Sequence, residues 1–134
     1  MMRSIRLLTG FLVLATVPAA AQQAPAQPEG RAVFDMVCAM CHSVEPPAKL
    51  APPVSHAAAY YLRKHETTDS AAAAMVAYLK APSAETSVLP AHAIERFGLM
   101  PSQSHLSEEQ LNAVARYVLS VADTAHVRPG MQHH

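Results

Sequence analysis

Residues 38–42 read Cys38-Ala39-Met40-Cys41-His42 and close a stretch, Ala32 to Ala39, in which Phe34, Val37 and Cys38 fall at the i, i+3, i+4 spacing of a helix. The chain has two cysteines, and at three positions apart they cannot staple distant segments as a disulfide scaffold would. A thiol–disulfide site of C-x-x-C type needs a βαβ context, and a zinc site needs about four ligands where this cluster offers three at an awkward spacing. One chemistry uses the whole motif: C-x-x-C-H is the attachment signature of c-type haem. Two thiols on one turn of helix can each add to a haem vinyl group, and the histidine after the second is then held against the iron as an axial ligand.

Outward from the motif the pattern stays helical. Ala57 to His65 places Ala58, Tyr61, Leu62 and His65 at helical spacing, and a third stretch, opening at an Asp69 N-cap, aligns Ala72, Met75, Val76 and Leu79 before Ala81-Pro82 stops it. A short helix is expected from Pro90 to Phe97, with Pro90 at its first position and Gly98 after its end. The clearest helix follows Ser107-Glu108-Glu109-Gln110, a capping box, with Leu111, Val114, Ala115, Val118, Leu119 and Ala122 on one apolar stripe. No run alternates with period two between hairpin turns, so strands are not indicated and the domain reads as all-α. The stripes carry Ala, Val and Leu with few rings, a thin core that a large apolar group would complete.

At the amino terminus, Arg3 and Arg6 precede an apolar stretch from Leu7 to Val17 and then Pro18-Ala19-Ala20-Ala21. That order is the pattern of a cleaved secretory signal peptide over residues 1–21, and the apolar stretch is shorter than the roughly 20 residues of a membrane span. Residues 22–28, rich in Gln, Ala and Pro, read as a flexible lead-in, 29–125 as the folded domain, and 126–134 as a polar tail. Cleavage leaves eight basic against ten acidic residues. There is no basic surplus to drive nucleic-acid binding.

The motif and its surroundings resemble the class I cytochromes c over residues 29–124. Gly30 and Phe34 precede Cys38 by eight and four positions, as in that family's first helix, where the glycine permits a close helix crossing and the aromatic packs on the last helix; Tyr117 is the matching partner. The resemblance implies a bundle of about four to five helices around one haem c, attached through Cys38 and Cys41 and ligated by His42. It implies a proline whose carbonyl accepts from the ligand imidazole; Pro52 is favoured over Pro53, although Ala51 stands where the family usually has glycine. It also implies a methionine as sixth ligand, and Phe97-Gly98-Leu99-Met100-Pro101 matches the family's loop. His92 and His105 are the alternatives nearest Met100, while Met36, Met40 and Met75 read as packing. Arg63, Lys64, Arg96, Tyr60 and Tyr61 are candidate partners for the haem propionates or else a solvated helix face.

The function implied is that of a monomeric periplasmic electron carrier, not an enzyme. It takes one electron from a reductase and passes it to an oxidase or other acceptor, with no nucleic-acid partner and no stable membrane insertion after cleavage. Two other readings use the same motif: a sensor or small haem enzyme with a displaceable methionine, and a haem subunit of a larger dehydrogenase.

Overall fold

Gly30 sets the architecture, because a Cβ built on it would lie 2.2 Å from the Ala113 carbonyl oxygen and 2.7 Å from Tyr117 Cβ. Only a residue without a side chain lets the first and last helices touch backbone to backbone here. The computed structural model describes residues 27–122: α1 (Gln27–Val33), α2 (Val54–Lys64), α3 (Thr68–Lys80), α4 (Ala91–Phe97) and α5 (Glu108–Ser120). Among them there is no strand, and no helix is long and apolar enough to cross a membrane. The expected signal peptide, most of the lead-in and the polar tail lie outside the described residues.

α5 is the hub, packing against α1, α2 and α3. Its stripe is buried as expected at Leu111, Val114, Ala115, Val118 and Leu119, and Ala113 and Tyr117 on the α1 side join it. Phe34 is 2% exposed and its ring meets Tyr117 at 5.5 Å between centroids, the pairing expected across the crossing. Arg31 lies over the Tyr117 ring and pairs with Asp35 one turn along. The Ser107–Gln110 capping box forms in both directions.

Several boundaries differ from the sequence reading. α1 begins at Gln27, inside the expected lead-in, and gives way at Phe34–Cys38 to a π turn closed by Ala39 N–H donating to the Phe34 carbonyl. Met36 and Met40 lie on the outer surface, 71% and 80% exposed, so neither is the packing residue expected; Met75 is. α2 starts three residues early. Pro53 offers no side-chain cap, but the Val54 and Ser55 amides donate to the Ser43 and Val44 carbonyls of the incoming loop, which serve in its place.

α3 is capped by Thr67, not Asp69: the Thr67 hydroxyl accepts from the Ser70 amide, and the Ser70 hydroxyl reaches back to the Thr67 amide. Asp69 sits inside the first turn, where its charge suits the helix dipole, and pairs with Arg116 of α5 at 2.9 Å. A second ion pair, Lys80 with Glu108, joins the other end of α3 to α5. Pro90 precedes α4 as its N-cap instead of occupying the first helical position, and Gly98 follows with φ +76°, a conformation that favours glycine.

One buried group is unpaired. Ser55 is fully buried, and its hydroxyl has no partner among the described residues. Ser55→Ala removes an unsatisfied polar atom at almost constant volume, so denaturant unfolding of the haem-loaded protein is expected to show unchanged stability or a gain of up to about 1 kcal/mol.

Candidate functional site

The helices do not close on one another at the centre. Between α2, α3, α4 and α5 lies a cleft of about 300 Å³ whose wall includes Cys38, Cys41, His42, Pro52 and Met100. Chain segments separated by the whole of α2, α3 and α4 therefore bring the five expected site residues to one cavity. Most of the remaining wall is apolar: Phe34 and Val37 from the first segment, Tyr61 from α2, Met75 and Leu79 from α3, Ile94 and Phe97 from α4, Val114 and Val118 from α5.

The π turn and the loop after it position the donor set. His42 N–H and Cys41 N–H both donate to the Cys38 carbonyl, so the motif curls on itself at the end of the turn. The loop then folds back over it: Ala51 N–H donates to the Cys41 carbonyl at 3.0 Å, and Lys49 Nζ donates to the Ala39 carbonyl at 2.9 Å. This return brings the Pro52 carbonyl to 2.7 Å from His42 Nδ1. A carbonyl can only accept, so Nδ1 carries the proton and Nε2 is left as the ring nitrogen with a free lone pair. The sequence left Pro52 and Pro53 open, and the hydrogen bond falls to Pro52; Pro53 is buried at the start of α2.

Electrostatics agree with that arrangement. Burial pulls the His42 pKa below the ordinary imidazole value, against an opposing effect from the Pro52 hydrogen bond, and so favours the neutral ring that can ligate a metal. Burial, with a smaller contribution from Cys41, pushes the Cys38 thiol up to about 11. Before any attachment it is therefore a protonated thiol at neutral pH.

Met100 follows Gly98 and Leu99 out of α4. The loop it opens is fixed to the carboxyl end of α3: Ser102 Oγ donates to the Lys80 carbonyl at 2.6 Å and Gln103 N–H to the Leu79 carbonyl at 2.7 Å. His92 and His105, the alternative ligands, are exposed and absent from the cleft wall.

Of the five candidate propionate partners only Tyr61 lines the cleft. Arg63 stacks over Tyr60 at 5.0 Å and Arg96 over Phe97 at 4.9 Å, both exposed, and Lys64 is exposed too; these belong to the solvated helix face. Tyr78, on the α3 side of the cleft, was missed because the stripe was drawn through its neighbours Met75, Val76 and Leu79. It stands i+3 from Met75, and that spacing could have found it. Ser102 and Gln103 had no signal in the sequence, since their partners are backbone carbonyls.

The residues present suit a haem: a thiol pair, an imidazole with a fixed tautomer and a thioether stand around one largely apolar cavity in a core short of large side chains. No group of three or more His, Cys, Asp or Glu able to hold a bare metal ion occurs among the described residues. Compared with protein families, residues 28–122 match the family described as Cytochrome c. No match was found among curated proteins or among solved structures.

Proposed function

The chain belongs to the cytochrome c family, whose members bind covalent haem c and transfer electrons, and from that premise we propose a single-haem carrier with His42 and Met100 as its axial ligands. When bound, the haem supplies a one-electron iron couple. Cys38 and Cys41 would hold it covalently. Pro52 holds the His42 ring by Nδ1, which fixes the tautomer and strengthens Nε2 as a donor. Met100 provides a soft, neutral thioether that favours the reduced iron and raises the potential. Phe34, Tyr61, Leu79 and Val114 give the cavity a largely apolar lining, which disfavours water.

The observation that carries the reading is the His42–Pro52 hydrogen bond at the edge of a cleft whose wall also includes Met100. An iron held by both His42 and Met100 would have no position left for substrate. Electron transfer between partner proteins follows, and oxygen or peroxide chemistry does not. The amino-terminal pattern of residues 1–21 supports export to a periplasm, where such a carrier meets its reductase and its acceptor in brief encounters.

The test is the absorption spectrum of the haem-loaded protein, with and without carbon monoxide. The expected result is a c-type reduced spectrum, an oxidised sulfur-to-iron charge-transfer band and no response of the reduced protein to carbon monoxide. A high-spin iron, or one that takes carbon monoxide readily, would remove Met100 from the iron and put the sensor or enzyme reading first.

A further inference from the structure

Met100 sits in a loop that needs something to hold it. Pro101 restricts the backbone after it, and the chain then runs exposed through Ser102. α3, for its part, ends with carbonyls that have no helical partner, as every helix does. The two needs are met together. The Lys80 carbonyl accepts from the Ser102 hydroxyl and the Leu79 carbonyl from the Gln103 amide, so the loop after Met100 caps α3. The same Ser102 hydroxyl accepts from the Ser104 amide at 3.2 Å, and the Gln103 side chain donates to the Pro101 carbonyl at 2.9 Å. One hydroxyl thus joins α3 to both arms of the turn that follows Met100.

The helix on which the loop is anchored is itself part of the cleft. Met75, Tyr78 and Leu79 of α3 line the cavity, and Lys80 is tied by its ammonium to Glu108 of α5. Anchoring at Lys80 therefore fixes the Met100 loop to the wall of the cavity.

Resting on the ligation proposed above, we propose that Ser102 is a positioning residue for Met100: its hydrogen bond to the Lys80 carbonyl holds the loop in the conformation that delivers the thioether. Without the hydroxyl the loop spends more time detached, and an exogenous ligand finds the sixth position open more often. Apparent affinity for such a ligand scales with that open fraction. The loss of one neutral hydrogen bond corresponds to a rise of about 3- to 10-fold.

The experiment is an imidazole titration of the oxidised, haem-loaded full chain, read by loss of the sulfur-to-iron charge-transfer band. Ser102→Ala is expected to bind imidazole about 3- to 10-fold more tightly than the parent, and Ser102→Thr, which keeps the hydroxyl, to bind like the parent. In a Met100→Ala background the position is already open, so adding Ser102→Ala should leave imidazole affinity unchanged. A Ser102→Ala chain that shows the band and binds imidazole like the parent overturns the proposal. So does an equal gain in the Met100→Ala background, which would mark a general loosening of the cleft. A parent chain that lacks the band and binds imidazole as Met100→Ala does would instead overturn the ligation reading itself.

Discussion

Met100→Ala is expected to keep the haem covalently attached and to lose the sulfur-to-iron charge-transfer band, with the reduction potential falling by at least about 0.1 V, inside the span of about 0.8 V that axial ligands control. The direction follows from the ligand. A thioether is neutral and soft and stabilises the reduced iron, and nothing in the alanine variant replaces it with a group of that kind. Reduced Met100→Ala should also bind carbon monoxide where the parent does not. His92 and His105, both exposed and outside the cleft wall, are not placed to substitute. Potentiometry with a carbon monoxide difference spectrum checks both halves. An unchanged band and potential would show that another residue is the ligand.

Gly30→Ala is expected to be strongly destabilising. The added carbon would meet the Ala113 carbonyl oxygen at 2.2 Å, with the Ala113 carbonyl carbon and Tyr117 Cβ both inside 3 Å. Two of those three atoms are backbone, so no rotamer change relieves the contact and α1 has to move away from α5. Movement there also parts Phe34 from Tyr117 and Arg31 from the Tyr117 ring. Overpacking that displaces backbone costs about 3 kcal/mol at the upper end of its usual range. For a domain of this size that lowers the melting temperature by about 12 °C or more. Thermal unfolding of the haem-loaded variant, followed by far-ultraviolet circular dichroism, checks it; a shift of only a degree or two would mean that the crossing is looser than its geometry indicates.

The parts of this protein that were legible in the sequence are those with local causes. The Ser107–Gln110 capping box and the stripe from Leu111 to Leu119 each depend on spacings within one or two turns and stand in the structure at the residues read, and Cys38, Cys41 and His42 of the motif line the cleft. Gly30, Phe34 and Tyr117 were read from family resemblance, and the crossing they imply is present. What stayed hidden depended on partners far along the chain or on backbone atoms. Thr67 and Asp69 are both acceptable caps by residue type, and the choice fell to Thr67 because Ser70 could return the bond while Asp69 was drawn to Arg116. Helical spacing cannot distinguish a π turn from an α turn over five residues, so the π turn at Phe34–Cys38 was invisible. The choice between Pro52 and Pro53 turned on how the loop folds back through Ala51 and Lys49.

The crossing at Gly30 also governs when the protein can fold. α1 is the first helix of the described chain and its principal partner is the last, α5. Roughly 80 residues separate the two sides of the contact, and at a synthesis rate of about 5–20 residues per second α1 waits roughly 4–16 s for α5 to exist. During that interval Phe34 and Val33 have no surface to bury against at the crossing, and Cys38, Cys41 and His42 lie on a segment with no cleft yet behind it. Until α5 is made, the nascent chain thus leaves its two thiols without the wall of the cleft that Val114 and Val118 supply.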